Sequence, residues 1–325
     1  MIRSRFVSAA LLALFTLCTL QAAAQDNFPS KPIRIVVTFA AGGGPDIAAR
    51  IIGQKLSTNI GQAVVIDNRV GATGIIGADP AAKSAPDGYT ILLGTPAPLT
   101  VAGGSGRKLT YDPIKDFTAV TQGVYLIPIM VVAPNSPYKT VADLIAAAKA
   151  KPGALTFASA GIGNSQHLAG EQFNQMAGID TLHVPYQSGV MGMAAIVSGQ
   201  TDFFFSDPSA LPQVRSGKLR ALAVASLKRS GQLPDTPTVS ESGLPGYEYT
   251  NWYGFLVPAK TPRPIVQRLF KEITAVLNTP DVREKLVSAG MEPGPSASPE
   301  EFDAFLPKDQ AKWAQIVKTA KIKFD

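Results

Sequence analysis

Residues 33–56 read IRIVVTFAAGGGPDIAARIIGQKL. A β-branched run, three glycines at 42–44 and an apolar stripe at Ala48, Ile51, Ile52 and Leu56 follow one another without a break. The run has the composition of a buried strand, and the stripe has the spacing of a helix packed on one face. A second β-branched run, AVVIDNR at 63–69, completes the unit. Strand, helix and strand in that order predict a βαβ unit and a parallel sheet. The glycines stand where strand passes into helix. There, backbone N–H groups and the positive end of a helix can approach an anion closely.

The alternation continues outward from this unit. TILLGT (90–95) reads as a third strand, and 96–118, rich in Gly, Pro and polar residues, as a long loop. VYLIPIMVVAP (124–134) is apolar and extended but contains Pro128. A central strand tolerates proline poorly, so this stretch reads as a crossing between lobes. A second set follows: a helix at 140–151, LTFAS (155–159), a helix at 164–178, TLHVPY (181–186), a small-residue helix to Ser198, TDFFFSD (201–207) and KLRALAVAS (218–226). Residues 230–250 are rich in Pro and Gly and read as the return linker. WYGFLVP (252–258) re-enters, and helices at 263–278, 280–289 and 298–320 close the chain. The expected fold is α/β with two lobes, one formed by 25–124 and 247–325 and the other by 125–246. A ligand would sit between them, at the carboxyl ends of the strands.

The first 24 residues are read as a secretory signal peptide and set apart from the fold. Arg3 and Arg5 give a basic start, Phe6 to Leu20 an apolar segment, and Ala22-Ala23-Ala24 a small-residue cleavage site before Gln25. This predicts export to the periplasm. Cys18 is the only cysteine and lies in the leader, so the mature chain has no thiol for disulfide, metal or redox chemistry. With the leader removed, 28 basic residues face 24 acidic ones. That surface is mildly basic with no Lys/Arg cluster, and no nucleic-acid partner is expected.

Several chemistries can be set against this frame. A dinucleotide fingerprint needs a third small residue, and Ile47 stands at that position after Gly42 and Gly44. Asp67 does imitate the ribose acid at the end of the second strand. Ser165 and His167 are two apart, so on a helix they point to different faces and cannot pair as nucleophile and base. His183 lies in an apolar strand and reads as a buried structural residue. Two histidines and no cysteine make a zinc site improbable, and no cofactor is expected. Two strand-to-helix turns remain: Ala40 to Asp46, and SAGIGNSQH at 159–167. Both offer glycines, N–H donors and a helix N-terminus. The second adds Ser159, Asn164 and Ser165. Neither contains a lysine or arginine, and Arg50 reads as structural or solvated. Both read as anion-binding turns at helix N-termini, with tight turns closed by ordinary helix caps as the alternative.

The sequence resembles the receptors of tripartite tricarboxylate transporters, also called the Bug family, through essentially all of the mature chain. The resemblance rests on FPSKPIRIVV, FAAGGG with Asp46 and Arg50, DNRVGATG, APDGYT, YDPIKDF, GNSQHLAGE, HVPY, SGQTDFFFSD, SGKLRALAVAS, LPDTPTVSESGLPGYE and WYGFLVPAKTP. It implies a two-lobed periplasmic binding fold, type II-like, with an organic acid in the cleft and membrane subunits of a transporter as partners. It also implies a monomer and no catalysis. The site residues it implies are Ala40, Ala41, Gly42, Gly43, Asp46, Thr95, Ser159, Gly161, Gly163, Asn164, Ser165 and Asp207. Pro45 stands where such receptors usually carry Thr or Ser, and Val70 and Thr73 where Pro and Gly are usual. A secreted enzyme acting on an organic acid, or a ligand sensor without transport, are the alternatives.

Overall fold

The computed structural model describes residues 28–319, so the expected leader and its cleavage site lie outside the described residues. Two mixed sheets form the framework. The first has the strand order β11-β4-β10-β3-β1-β2 and the second β7-β6-β8-β5-β9. In the first sheet, β1 (Ile33–Val37) lies parallel to β2 (Val64–Asn68) and to β3 (Thr90–Gly94), as the βαβ pattern predicts. The sheet is not wholly parallel, however. β4 (Phe117–Leu126), β10 (Asn251–Pro258) and β11 (Met291–Pro293) join it in antiparallel pairings. The first strand is buried on both faces because period-two alternation sends Ile33, Ile35 and Val37 to one core and Val36 to another. Each such side chain contributes about 1.5–3 kcal/mol on full burial.

Helix α1 (Gly44–Ile60) turns Ala48, Ile52 and Leu56 into the first core and ends at Gly61, whose φ of 67° stops the helix in the left-handed region. Helix α2 (Ile75–Ala82) follows β2. The stretch expected to be one long loop contains a helical turn at Ala97–Val101. Pro96 and Pro98 hid its periodicity, yet a proline is tolerated at the start of a helical turn.

Pro128 stands between β4 and β5 (Ile129–Val132), which belong to different sheets. The second sheet is built with α3 (Val141–Ala150), β6 (Thr156–Ser159), α4 (Ser165–Ala177), β7 (Leu182–Pro185), α5 (Gly189–Val197), β8 (Phe203–Ser206), α6 (Leu211–Arg215) and β9 (Arg220–Val224). The returning chain runs beside the outgoing one: Ala225 N–H donates to the Pro128 carbonyl at 2.8 Å, and Tyr249 N–H to the Ala225 carbonyl at 2.7 Å. Helices α7 (Arg263–Leu277), α8 (Pro280–Ser288) and α9 (Pro299–Thr319) close the chain. Among the described residues, no helix is long and apolar enough to cross a membrane.

Helix α9 belongs to both lobes. Phe302 and Leu306 pack on the first sheet with Trp252, whereas Trp313, Ile316 and Val317 pack in the core of the second. Between them lies Asp309, only 7 % exposed. Its Oδ2 accepts from the Thr100 hydroxyl at 2.6 Å and from the indole N–H groups of Trp252 and Trp313, both at 3.0 Å. Removing that acceptor leaves three buried donors, each costing about 1–3 kcal/mol when unmet. Asp309→Leu is therefore expected to lower stability by at least about 3 kcal/mol, and Thr100→Val by about 1 kcal/mol, on that scale. Calorimetric unfolding reads both. An Asp309→Leu protein as stable as the wild type would remove this contact from the supports of the fold.

Candidate functional site

The first turn leaves β1 at Val37 and enters α1 behind Gly43, an N-cap with extended backbone and no side-chain cap. Pro45 lies in the first helical turn, where its missing N–H is one that the helix does not use. Asp46 closes the turn. Its carboxyl accepts from Gly42 N–H at 2.8 Å, Arg50 Nε at 2.9 Å and Asn68 Nδ2 at 3.0 Å. Burial alone would raise its pKa, but the bonds from Arg50, Gly42 and Asn68 hold the carboxyl below the usual carboxylate range. Gly43 N–H goes to the Ala40 carbonyl. Three residues expected at a ligand thus have their polar groups engaged within lobe one, while Ala40 and Ala41 are exposed beside them. Asp67, the imitation ribose acid, pairs with Arg69 at 2.8 Å and Arg34 at 3.6 Å.

Gly44 is set by close approach, since a Cβ there would stand 2.7 Å from Tyr253 Oη. Burial, assisted by the charge of Asp207, pushes the Tyr253 phenol well above its usual range. Tyr253 lies on β10 of the first sheet, and Asp207 follows β8 of the second. Asp207 also accepts from Ser209 N–H at 2.9 Å, capping the helical turn Pro208–Ala210. Thr95, directly after β3, is 3 % exposed, and its hydroxyl meets no protein partner. The same holds for Thr38 directly after β1 and Ser206 at the end of β8. All three sit at carboxyl ends of strands.

The second turn joins β6 to α4. Asn164 is the N-cap, and its Oδ1 accepts from Gln166 N–H at 3.0 Å and His167 N–H at 2.9 Å. Side chains of the helix reach back into the turn. Ala160 N–H donates to Gln166 Oε1 at 2.8 Å, Gly163 N–H to His167 Nδ1 at 2.9 Å and Gly161 N–H to Ser159 Oγ at 3.1 Å. The N–H groups of Gly161 and Gly163, expected to meet an anion, therefore close the turn instead. Ser165 begins α4, and its N–H has no acceptor within the helix. Asn164 is a cap whose loss costs about 1 kcal/mol, so its replacement would disturb the helix as well as any site.

Sequence reasoning missed a histidine pair behind this turn. His167 and His183 stack with ring centroids 3.7 Å apart and planes 10° from parallel. His183 Nε2 lies 2.6 Å from Ser159 Oγ, and His167 Nε2 lies 3.5 Å from Glu171 Oε1. The signal was in the register: β6 and β7 pair in parallel with Phe157 opposite His183, which puts Ser159 two residues along the neighbouring strand.

A third turn, DNRVGATG, received no site residue from the sequence. Gly71, Ala72, Thr73 and Gly74 all have positive φ, at 135°, 45°, 56° and 94°. A non-glycine residue in that region costs about 1–3 kcal/mol, and a β-branched one is an outlier. Thr73 lines a narrow interlobe cleft with Ile75, Ala97, Val101, Ala102 and Arg107 from the first lobe and Ile162 and Gly163 from the second. Of the residues expected in the site, Gly163 stands in this wall. Arg107 brings a basic group where the turns alone had offered none; only the folded chain places it there. A second depression, with Ile127, Pro208, Gly290 and Glu292 in its wall, lies beside the crossing strands and away from the turns.

Burial, and the His167 imidazole stacked on the ring, lower the His183 pKa from its ordinary 6.5 to about 3. The unfolded chain takes that proton below about 6.5, whereas the folded chain refuses it until about 3. The contribution is thus complete above 6.5 and lost progressively as pH falls towards 3. His183→Gln is expected to gain stability relative to the wild type between pH 7 and pH 4.5. Urea unfolding at the two pH values measures this, and a constant difference would rule out a depressed His183.

Over residues 48–322 the sequence fits the family described as "Tripartite tricarboxylate transporter family receptor". Three solved structures are similar over nearly the whole chain. Rpa4515 of R. palustris, solved with adipate, is 34 % identical with a TM-score of 0.82, over 91 % of this chain and 99 % of its own. The periplasmic binding protein BugD is 31 % identical with a TM-score of 0.78, over 91 % and 99 %. MatC of Rhodopseudomonas palustris, with bound malate, is 30 % identical with a TM-score of 0.79, over 89 % and 100 %. With this family match over most of its length and two sheets in the framework, the chain belongs to the tripartite tricarboxylate transporter receptor family.

Proposed function

We propose that the protein is a periplasmic solute receptor that captures a small dicarboxylate between its lobes and delivers it to the membrane subunits of a tripartite transporter. The observation that carries this reading is that three of the buried hydroxyls without protein partners stand at carboxyl ends of strands, Thr38 and Thr95 in the first lobe and Ser206 in the second. A buried hydroxyl left unmet costs about 1–3 kcal/mol, and a carboxylate oxygen or a water bridging to one meets it. Adipate in one structural relative and malate in another give the chemical class. The leader of residues 1–24 supports export, and the protein acts as a monomer. The lobes divide at 127–128 and near 250, with α9 shared between them.

The enzyme alternative has one geometric basis, the 2.6 Å approach of Ser159 Oγ to His183 Nε2. The Ser159 oxygen is already shared between the Gly161 carbonyl at 3.0 Å, the Gly161 N–H at 3.1 Å and His183, so the hydroxyl serves the turn rather than a reaction. The bound acid is expected to be recovered unchanged.

Calorimetry of residues 25–325 with adipate and malate tests the receptor reading. Thr95→Val removes a hydroxyl that supports nothing in the protein, so stability is expected to hold or rise. Affinity is expected to fall about tenfold, or 1.4 kcal/mol. The monomethyl ester of the bound acid is expected to bind at least about tenfold more weakly, because donors aimed at an anion favour the charged form. Equal affinity for acid and ester, with Thr95→Val binding as the wild type does, would overturn the assignment.

A further inference from the structure

The histidine pair has no place in the receptor function as described so far, yet its nitrogens reach the backbone and side chain of the second turn. Gly163 N–H donates to His167 Nδ1 at 2.9 Å, so that nitrogen is unprotonated and the ring carries its proton on Nε2, towards Glu171. His183 holds the Ser159 hydroxyl at 2.6 Å, and the same hydroxyl accepts Gly161 N–H at 3.1 Å. The two rings support each other face to face, and Phe157 of β6 packs against both, 4.9 Å from His183 and 6.1 Å from His167. His167 therefore fixes one end of the segment 161–163 and His183, through Ser159, fixes the other. Gly161 and Gly163 have φ of 120° and 75°, a backbone with no side-chain restraint of its own. Ile162, between them, lies in the cleft wall with Gly163.

We propose that His167 and His183 are positioning residues of the ligand site: as a stacked pair they hold both ends of the segment Gly161–Gly163 and so fix the cleft wall contributed by the second lobe. They touch no ligand. They remove the conformational freedom of two glycines before binding, so the bound acid does not have to order the wall itself. This rests on the second turn facing the ligand, as read above.

Conservative and non-conservative replacements separate positioning from plain packing. Asn at 167 presents an acceptor oxygen close to the place of Nδ1, and Gln at 183 presents a polar end group close to Nε2; Leu fills either site but bonds nothing. The measurements are amide hydrogen exchange of residues 160–165 in the ligand-free protein and calorimetric affinity for adipate and malate. His167→Leu and His183→Leu are expected to exchange at least about tenfold faster in that segment, and to bind about tenfold more weakly, 1.4 kcal/mol. His167→Asn and His183→Gln are expected to restore both readouts. Exchange as slow as the wild type in the Leu variants, wild-type affinity despite fast exchange, or Asn and Gln variants as defective as Leu would each overturn the proposal. If the wild type binds neither acid, the ligand assignment fails while the exchange data still decide whether the pair fixes the turn.

Discussion

Asp309 Oδ2 is the point through which distant parts of the chain are held in register. It receives a hydroxyl from the helical turn Ala97–Val101, an indole from the central strand β10 and an indole from the core of the second lobe. All four groups are buried, so none can exchange its partner for solvent. The positions of Thr100, Trp252 and Trp313 are therefore not independent. A shift of α9 on the first lobe would have to break the bond from Thr100 or from Trp252. The cleft wall takes part directly, because Ala97, Val101 and Ala102 flank Thr100.

Local periodicity made much of the framework legible. Ile33–Val37, Val64–Asn68 and Thr90–Gly94 are short, β-branched and separated by helical spacing, and each requires no information beyond its neighbours in sequence. The antiparallel half of the first sheet was not legible in the same way. Gly254 pairs with Gln122 and Met291 with Leu126, contacts that no local pattern encodes, and the three residues of β11 are too few to show a period. The result is a mixed sheet where a parallel one was expected.

The site shows the same division. Glycine turns between strand and helix can be found from sequence, because the chemistry of each turn is local. Which N–H groups remain for a ligand depends on side chains that return from the following helix: Asp46 to Gly42, Gln166 to Ala160 and His167 to Gly163. A helix N-terminus buried in a small cleft must satisfy its donors, and it uses its own first turn to do so. The strained third turn and Arg107 enter the cleft only through the packing of lobe on lobe. Thr73 in a left-handed conformation was visible as a departure from the usual glycine, but its backbone angle was not.

Helix α9 gives the two lobes a third connection besides the crossings at Pro128 and just after Tyr249. Two crossings define a line about which bodies can swing; a helix packed on both bodies is loaded by that swing. Any opening of the cleft must therefore bend α9 or slide one of its ends. Pro307 interrupts the hydrogen-bond ladder two residues before Asp309, between the end held by Phe302 and Leu306 and the end held by Trp313. The last helix thus works as a leaf spring with its soft point beside its clamp. A swing of one lobe against the other therefore loads the helix at that proline.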